Sequence, residues 1–477
     1  MLQPARPTTG RITCPTMTIL ALDLGTSSVR GLVLDEAARL LPGALARRRV
    51  NLAVGEDGAG TLDAQGYLAC LGQCLDELAA GGHLDGVELV AACAQWHSVV
   101  ALDADGTPVG PVLTWLDTRP TPVSGHPGPA DPEEFHQRTG TWWHRCYWSV
   151  RLPWLRARVG DHAIRFAGLA EYALSVLLDP VPMSVSQASG TGLLDLGTME
   201  WDPEACALAE TGPGELPELA PVGWHGRLRA EYARRWPPLA GARWTAPIGD
   251  GAASNVGSGC VDPGRAAITV GTSAAVRVVR AVVPGEPLPR LAPSLWRYRV
   301  DQRHIVTGTA YSAGGNLFAW ANRELRLPDR AELNAALARV PVVGGGPAAN
   351  VCFGGDRPPG LALAGSGAVN GLGFGTTAVE ILAGLMRGLS ELVAVDLAVL
   401  ESELDSRPVE VVLGGGAMVA SEWWRRAFAV ALAPRPVWHQ RNPEIGAIGA
   451  ALVALGRIGD AAGVADLDRT GELTAPC

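Results

Sequence analysis

The chain contains no lysine: all 39 of its basic residues are arginine. That absence excludes P-loop NTPases and protein kinases, which set a lysine ammonium on the phosphates. It also excludes enzymes that form a Schiff base through a lysine amine. No apolar run reaches the ~18 residues of a membrane-spanning helix, so no membrane partner is expected. A net charge of −9 without a basic stripe argues against a nucleic-acid partner. Nine cysteines are scattered without paired spacing. Cys70 and Cys74 could share a helix face, but no second pair completes a zinc site. Reduced thiols and a cytoplasmic location are the expectation. Residues 1–17 lack the apolar stretch of a signal peptide and read as a tail, either a disordered extension or an upstream start ahead of Met17.

What is present is a short pattern that occurs twice, about half a chain apart. Leu24-Gly25-Thr26-Ser27-Ser28-Val29-Arg30 is echoed by Val270-Gly271-Thr272-Ser273-Ala274-Ala275-Val276-Arg277. Apolar, β-type runs flank both copies, so each reads as strand, tight polar turn, strand. Consecutive N–H groups and hydroxyls in such a turn suit a phosphate. Two copies suggest a duplicated α/β domain whose halves grip a polyphosphate between them. In a chain without lysine, that grip must come from backbone amides, hydroxyls, Mg²⁺ and arginine. Alternating strands and helices support the α/β reading: a helix over 62–78, a buried strand over 87–94 and a buried strand over 409–413.

Four further features carry candidate chemistry. Asp23 ends the first strand, where a carboxylate either holds Mg²⁺ through water or simply orders the turn. Asp250, in Gly249-Asp250-Gly251-Ala252-Ala253, stands at the start of a helix of tiny residues. It is either an N-cap or a general base that takes a proton from an attacking hydroxyl. Gly414-Gly415-Gly416-Ala417 is a strand-to-helix turn that lets backbone approach an adenine or ribose, or an ordinary tight turn. It is not the dinucleotide fingerprint. The small-residue helix 444–450 reads as close helix packing. Finally, residues 96–154 concentrate tryptophan (Trp96, Trp115, Trp142, Trp143, Trp148, Trp154) beside Gln95, His97, Asp117, Arg119, His144 and Arg145. Indoles fill cores or stack on sugar C–H faces. With those polar partners the stretch resembles the lining of a polyol pocket.

Taken together and in this order, the motifs resemble the FGGY carbohydrate kinases, members of the actin/hexokinase/Hsp70 superfold, over residues 18 to about 457. The resemblance implies two ribonuclease-H-like domains around a central cleft, at 18–264 (sugar-binding) and 265–460 (ATP-binding), with 461–477 as a tail. It implies ATP and Mg²⁺ as cofactors and a small polyhydroxylated substrate, and it leaves room for a homodimer. Asp250 would be the catalytic base. Asp23 would hold the metal, and Gln95, Trp96, His97, Asp117, Arg119, His144 and Arg145 would bind substrate. Gly25, Thr26, Ser27, Gly271, Thr272, Asn316 and Gly414 to Ala417 would bind ATP. Segments 114–119, 188–195, 249–260 and 311–320 look most like gluconate kinases. Three departures stand out: Trp96 in place of the frequent Met, a 144–147 loop without the usual Pro and Met after its His, and Gly355 to Pro359 in place of a Glu-Arg. They keep another polyol, a ketose or a cyclitol in competition with gluconate. The rival class is an actin-like ATPase without a sugar substrate.

Overall fold

The computed structural model describes residues 17–122, 125–126, 128–162, 164–212, 214–354, 365–404 and 410–469. The first lobe contains strands β1 (Thr18–Leu24), β2 (Ser28–Leu34) and β3 (Leu40–Arg49), helix α1 (Ala64–Ala80) and strand β4 (Val87–Ala94). Helices α2 (Trp148–Val159), α3 (Leu169–Leu177) and α4 (Val185–Thr191) follow, then β5 (Arg243–Thr245) and helix α5 (Asp250–Gly257). The second lobe opens with β6 (Arg265–Val270), β7 (Ala274–Ala281), β8 (Trp296–Arg299) and β9 (His304–Tyr311). Helices α6 (Gly315–Glu324), α7 (Arg330–Ala338) and α8 (Ala378–Ser402) come next. Strand β10 (Glu410–Gly414), α9 (Gly416–Ala420), α10 (Glu422–Ala431), β11 (Val437–Gln440) and α11 (Ile445–Ala454) complete the repeat.

The duplication is visible in strand order. The first sheet runs β3-β2-β1-β4-β5 and the second runs β9-β7-β6-β10-β11. In both, the first three strands are antiparallel and the last two run parallel to the central one. The two echoed turns are the β1–β2 and β6–β7 hairpins, which close at Leu24 opposite Val29 and at Val270 opposite Ala274. Asp63 caps α1 by accepting from Gly66 N–H, and the helix buries Tyr67, Leu71, Leu75 and Leu78 against its sheet. Helix α8 does the same in the second lobe with Leu382, Leu385, Leu389 and Val393.

Helices α5 and α11, each following the fifth strand of its repeat, meet between the two sheets. Their faces join Ile19, Ala21 and Leu32 of the first sheet to Val279 and Val306 of the second through Ala252, Val256, Ala447, Ile448 and Ala451. The helices touch backbone to backbone. A Cβ on Gly449 would lie 1.9 Å from Ala253 O, and one on Gly257 would lie 2.0 Å from Ile445 O. The small residues of 444–450 are therefore there for helix packing.

The expected tail over 461–477 is corrected in part. Ala461–Val464 forms a helical turn (α12) and Leu467–Arg469 a strand (β12) on the edge of the second sheet beside β11. Arg441, paired with Asp466 and with Asp468, pins it there. Residues 470–477 and the N-terminal 1–16 lie outside the described residues.

Gly449→Ala should lower unfolding stability by about 2–3 kcal/mol or more, because backbone rather than a movable side chain occupies the space. Gly459→Ala, where a Cβ would meet nothing within 4 Å, should stay within about 0.5 kcal/mol; denaturant melts of both variants check this. A second expectation concerns Glu171 in the first turn of α3, 2% exposed with neither carboxylate oxygen hydrogen-bonded to another of the described residues. Burial pushes its pKa up to about 7. The folded state thus holds the proton more tightly than the unfolded chain. Wild-type stability is greatest below the ordinary glutamate pKa and falls as pH rises towards 7. Glu171→Gln should match wild type near pH 4.5 and exceed it by about 3 kcal/mol at pH 8, read as the difference between melts at the two pH values.

Candidate active site

In open α/β sheets the ligand-bearing residues lie at the C-terminal ends of parallel strands. Here those ends carry Asp23 as the next-to-last residue of β1, Gln95 to His97 after β4, Gly271 to Ser273 after β6, and Gly414 at the end of β10 with Gly415 to Ala417 beyond it. Asp250 opens α5. Its N-cap is Gly249, so Asp250 is the first helical residue, accepting from Gly251 N–H at 2.8 Å. The N-cap alternative for Asp250 is thereby removed.

Asp23 lies among charges. Its pKa rises to about 6, first through burial and then through the Asp250 and Glu444 carboxylates, while Arg30 and the Cys93 thiol pull the other way. Arg30 lies 3.5 Å from Asp23 and 3.0 Å from Glu444, the residue that precedes α11. Arg30 answers two carboxylates, and Asp250 lies close enough to Asp23 to add to the negative charge, a balance that a divalent cation would improve. Among the described residues, no three His, Cys, Asp or Glu side chains converge to cage a metal. Asp23 is the carboxylate placed to reach a hydrated divalent cation. Arg30 and Glu444 were missed as site residues. The signal was the arginine that ends both copies of the repeat: Arg277 likewise reaches back across its hairpin to Thr269 at 2.9 Å and on to Asn255 of α5 at 3.0 Å.

In the second lobe the expected ATP-side residues come together. Gly315 N–H donates to Gly271 O at 2.7 Å and Asn316 N–H to Thr272 O at 3.1 Å. Gly415 (φ 95°) runs so close to β6 that a Cβ would sit 2.4 Å from Val270 O. The Asn316 side chain is committed to its own loop, accepting from Gly314 N–H and donating to Ser312 O. A cavity of about 280 Å³ lies between α7 and α9–α10, lined by residues that include Asn334, Val419, Trp423 and Arg425. In the first lobe, Gly25 N–H closes the turn on Ser28 O and Ser27 is exposed. The Thr26 hydroxyl is committed within the protein. It donates to Gln95 Oε1 at 2.9 Å and accepts from Trp115 Nε1 at 3.0 Å, which ties the phosphate turn to the substrate segment.

Three residues of the expected substrate segment, Trp96, Asp117 and Arg119, are engaged by other protein groups. Trp96 is 6% exposed and donates its indole N–H to Ser186 O. Its ring lies where Cβ atoms of Gly190, Gly249 and Gly251 would be, within 1.9–2.4 Å, so it wedges beneath Asp250 and does not line a pocket. Asp117 and Arg119 satisfy each other: Arg119 Nε and Nη2 bond the carboxylate at 3.0 and 2.6 Å, and Gly60 N–H adds 3.1 Å. These bonds hold Asp117 below the usual carboxylate range despite its burial. Trp148 and Trp154 are core. What remains is well placed. His97 Nδ1 donates to Gly190 O at 2.6 Å, which leaves Nε2 as the ring's acceptor. Gln95 is 1% exposed, and its Nε2 is a buried donor with no partner among the described residues. His144 Nδ1 accepts from Cys146 N–H, and Arg145 rests on Thr118 O. The Gly355 to Pro359 departure lies outside the described residues.

Two repeats of a five-stranded unit, hairpin turns facing one another across a shared helix pair, define the actin- and hexokinase-like class of two-lobed proteins. Residues 18–257 match the N-terminal domain and residues 266–456 the C-terminal domain of the FGGY family of carbohydrate kinases, and the chain belongs to that family. A gluconokinase of Bacillus subtilis (strain 168) is 26% identical over 250 residues, 50% of this chain and 47% of that protein. The chain thus spans about half the length of that relative. A xylulose kinase of Streptomyces coelicolor is 28% identical over 470 residues, covering 94% of this chain and 90% of the other. The structure of a gluconate kinase from Lactobacillus acidophilus superposes with a TM-score of 0.82 at 21% identity, covering 95% of this chain and 93% of that one.

Trp96→Ala would leave a large void under Gly249 and Gly251 and should cost about 3–5 kcal/mol of stability, measured by denaturant unfolding.

Proposed function

We propose that this protein is an ATP- and Mg²⁺-dependent kinase that phosphorylates a hydroxyl of a small polyhydroxylated acceptor, with gluconate to 6-phosphogluconate as the first reaction to test. The observation that carries this reading is Asp250. It is a half-buried carboxylate at the first position of α5, supported from below by Trp96 and close enough to Asp23 to raise its pKa. In this reading Asp250 takes the proton from the acceptor hydroxyl as that oxygen attacks the γ-phosphorus in line. Gln95 Nε2 and His97 Nε2 orient the acceptor's other hydroxyls. The main-chain N–H groups of the Gly25 and Gly271 turns receive phosphate oxygens, and the α7/α9–α10 cavity has room for the purine. Mg²⁺, held through Asp23, supplies charge neutralisation on the transferring phosphoryl group. Arg119 is bound by Asp117, which disfavours it as the partner of an acceptor carboxylate. The likeness to gluconokinases supports gluconate, and the xylulose kinase likeness keeps a ketose next. The cysteines among the described residues that form no disulfide suit a reducing compartment such as the cytoplasm.

The test is ADP formation from Mg-ATP across gluconate, pentuloses, glycerol and cyclitols, for wild type and Asp250→Asn. An acceptor-dependent wild type should lose on the order of 10²–10⁴-fold in rate on the substitution, with ATP binding unchanged. Retention of more than about a tenth of the rate would remove the general-base role. ADP formation independent of any acceptor would instead support the actin-like ATPase.

A further inference from the structure

Arg151 lies in α2 among core residues, between Trp148 and Trp154, and is itself 0% exposed. A buried guanidinium is costly unless its donors are satisfied. Here they are satisfied by main-chain carbonyls. Nε donates to Arg145 O at 3.0 Å, Nη1 to His97 O at 2.9 Å and to Thr114 O at 2.8 Å, and Nη2 to Asp117 O at 3.1 Å. These carbonyls come from three separate segments: 95–98, 114–119 and 144–147. They are the segments that carry Gln95, His97, Trp115, His144 and Arg145.

The His97 main chain gives a second reason to look here. Its φ of 69° lies in the left-handed region that a histidine seldom adopts. Such strain persists only where surrounding bonds over-determine it. Two do so: the ring bond to Gly190 O and the Arg151 bond to the His97 carbonyl. A planar fork can serve carbonyls arriving from several directions at once. A lysine ammonium offers three donors from a single nitrogen and cannot span them.

We propose that Arg151 is the positioning residue of the acceptor pocket, fixing the mutual placement of His97, Trp115 and Arg145 without touching substrate. This rests on the kinase reading of the cleft given above.

Arg151→Lys keeps the charge and removes the fork. For an acceptor found with the wild-type enzyme, KM should rise about tenfold or more as charge-assisted bonds to the loops are lost. The KM for ATP should stay within about twofold. A purely structural role would move both constants together or neither, and either result would overturn the proposal. Hydrogen exchange on the wild-type protein keeps the idea testable if the variant does not fold. Saturating acceptor should slow amide exchange in 95–98, 114–119 and 144–147 together, and protection confined to one segment would overturn it. A wild type inert towards the whole acceptor panel would instead overturn the kinase reading, and this role with it.

Discussion

The structure depends on one contact, the backbone-to-backbone meeting of α5 and α11. Gly257 and Gly449 leave no room for a methyl group at the crossing, so the distance between the two sheets is set by main chain and not by adjustable side chains. Both chemical ends of the site hang on this pair. Asp250 is the first residue of α5, and Glu444 immediately precedes α11. Arg30 ties the first hairpin to Glu444, and Arg277 ties the second to Asn255. Each of the two echoed turns is therefore anchored, through an arginine, to the helix pair that carries Asp250, the proposed base.

Arginine does much of the internal cross-linking in this lysine-free chain. Arg151 gathers four carbonyls, and Arg299 bonds Leu196 O across the lobes, where Tyr147 also meets the Tyr298 hydroxyl at 2.8 Å. Arg119 is bound into a fork-to-fork pair with Asp117. Such groups can sit in the interior because a guanidinium offers donors in several directions, each of which finds an oxygen. The consequence for recognition is a reduction: of the two arginines that could have met an anionic acceptor, one is already neutralised.

Much of the fold was legible in the sequence because it is locally encoded. The repeated turn, the apolar strands on either side of it and the Asp63-capped helix each depend on residues a few positions apart. The Gly-Asp-Gly stretch was legible for the same reason, although the cause of its glycines was not: the Trp96 indole fills the space, and that indole lies about 150 positions away. The engagement of the Thr26 hydroxyl was not legible because its partners, Gln95 and Trp115, are 69 and 89 positions distant. Arg30 and Glu444 are 414 apart. Asp117 and Arg119 were adjacent enough to be suspected of pairing, but only the turn that brings Gly60 N–H to the same carboxylate shows that the pair is closed. Residue type announces chemistry, whereas commitment to a partner is a property of the folded chain.

The two hairpins are not equivalent, and the difference bears on how charge is shared. Asp23 stands two residues before Gly25, and the corresponding position before Gly271 is Thr269. Each faces the arginine of its own hairpin, Arg30 or Arg277. Had both copies kept the carboxylate, each half of the cleft would carry a buried anion beside the phosphates. Placing a hydroxyl in the second copy confines the negative charge to the lobe that holds Asp23, Asp250 and the substrate segment. The second turn is left with main-chain N–H groups and a hydroxyl at the position that carries the carboxylate in the first. A duplicated frame has thus become asymmetric by one residue type, with the cation-seeking carboxylates on one side and the anion-tolerant backbone on the other. In the proposed kinase, that polarity would suit transfer of a phosphoryl group from one lobe towards the other.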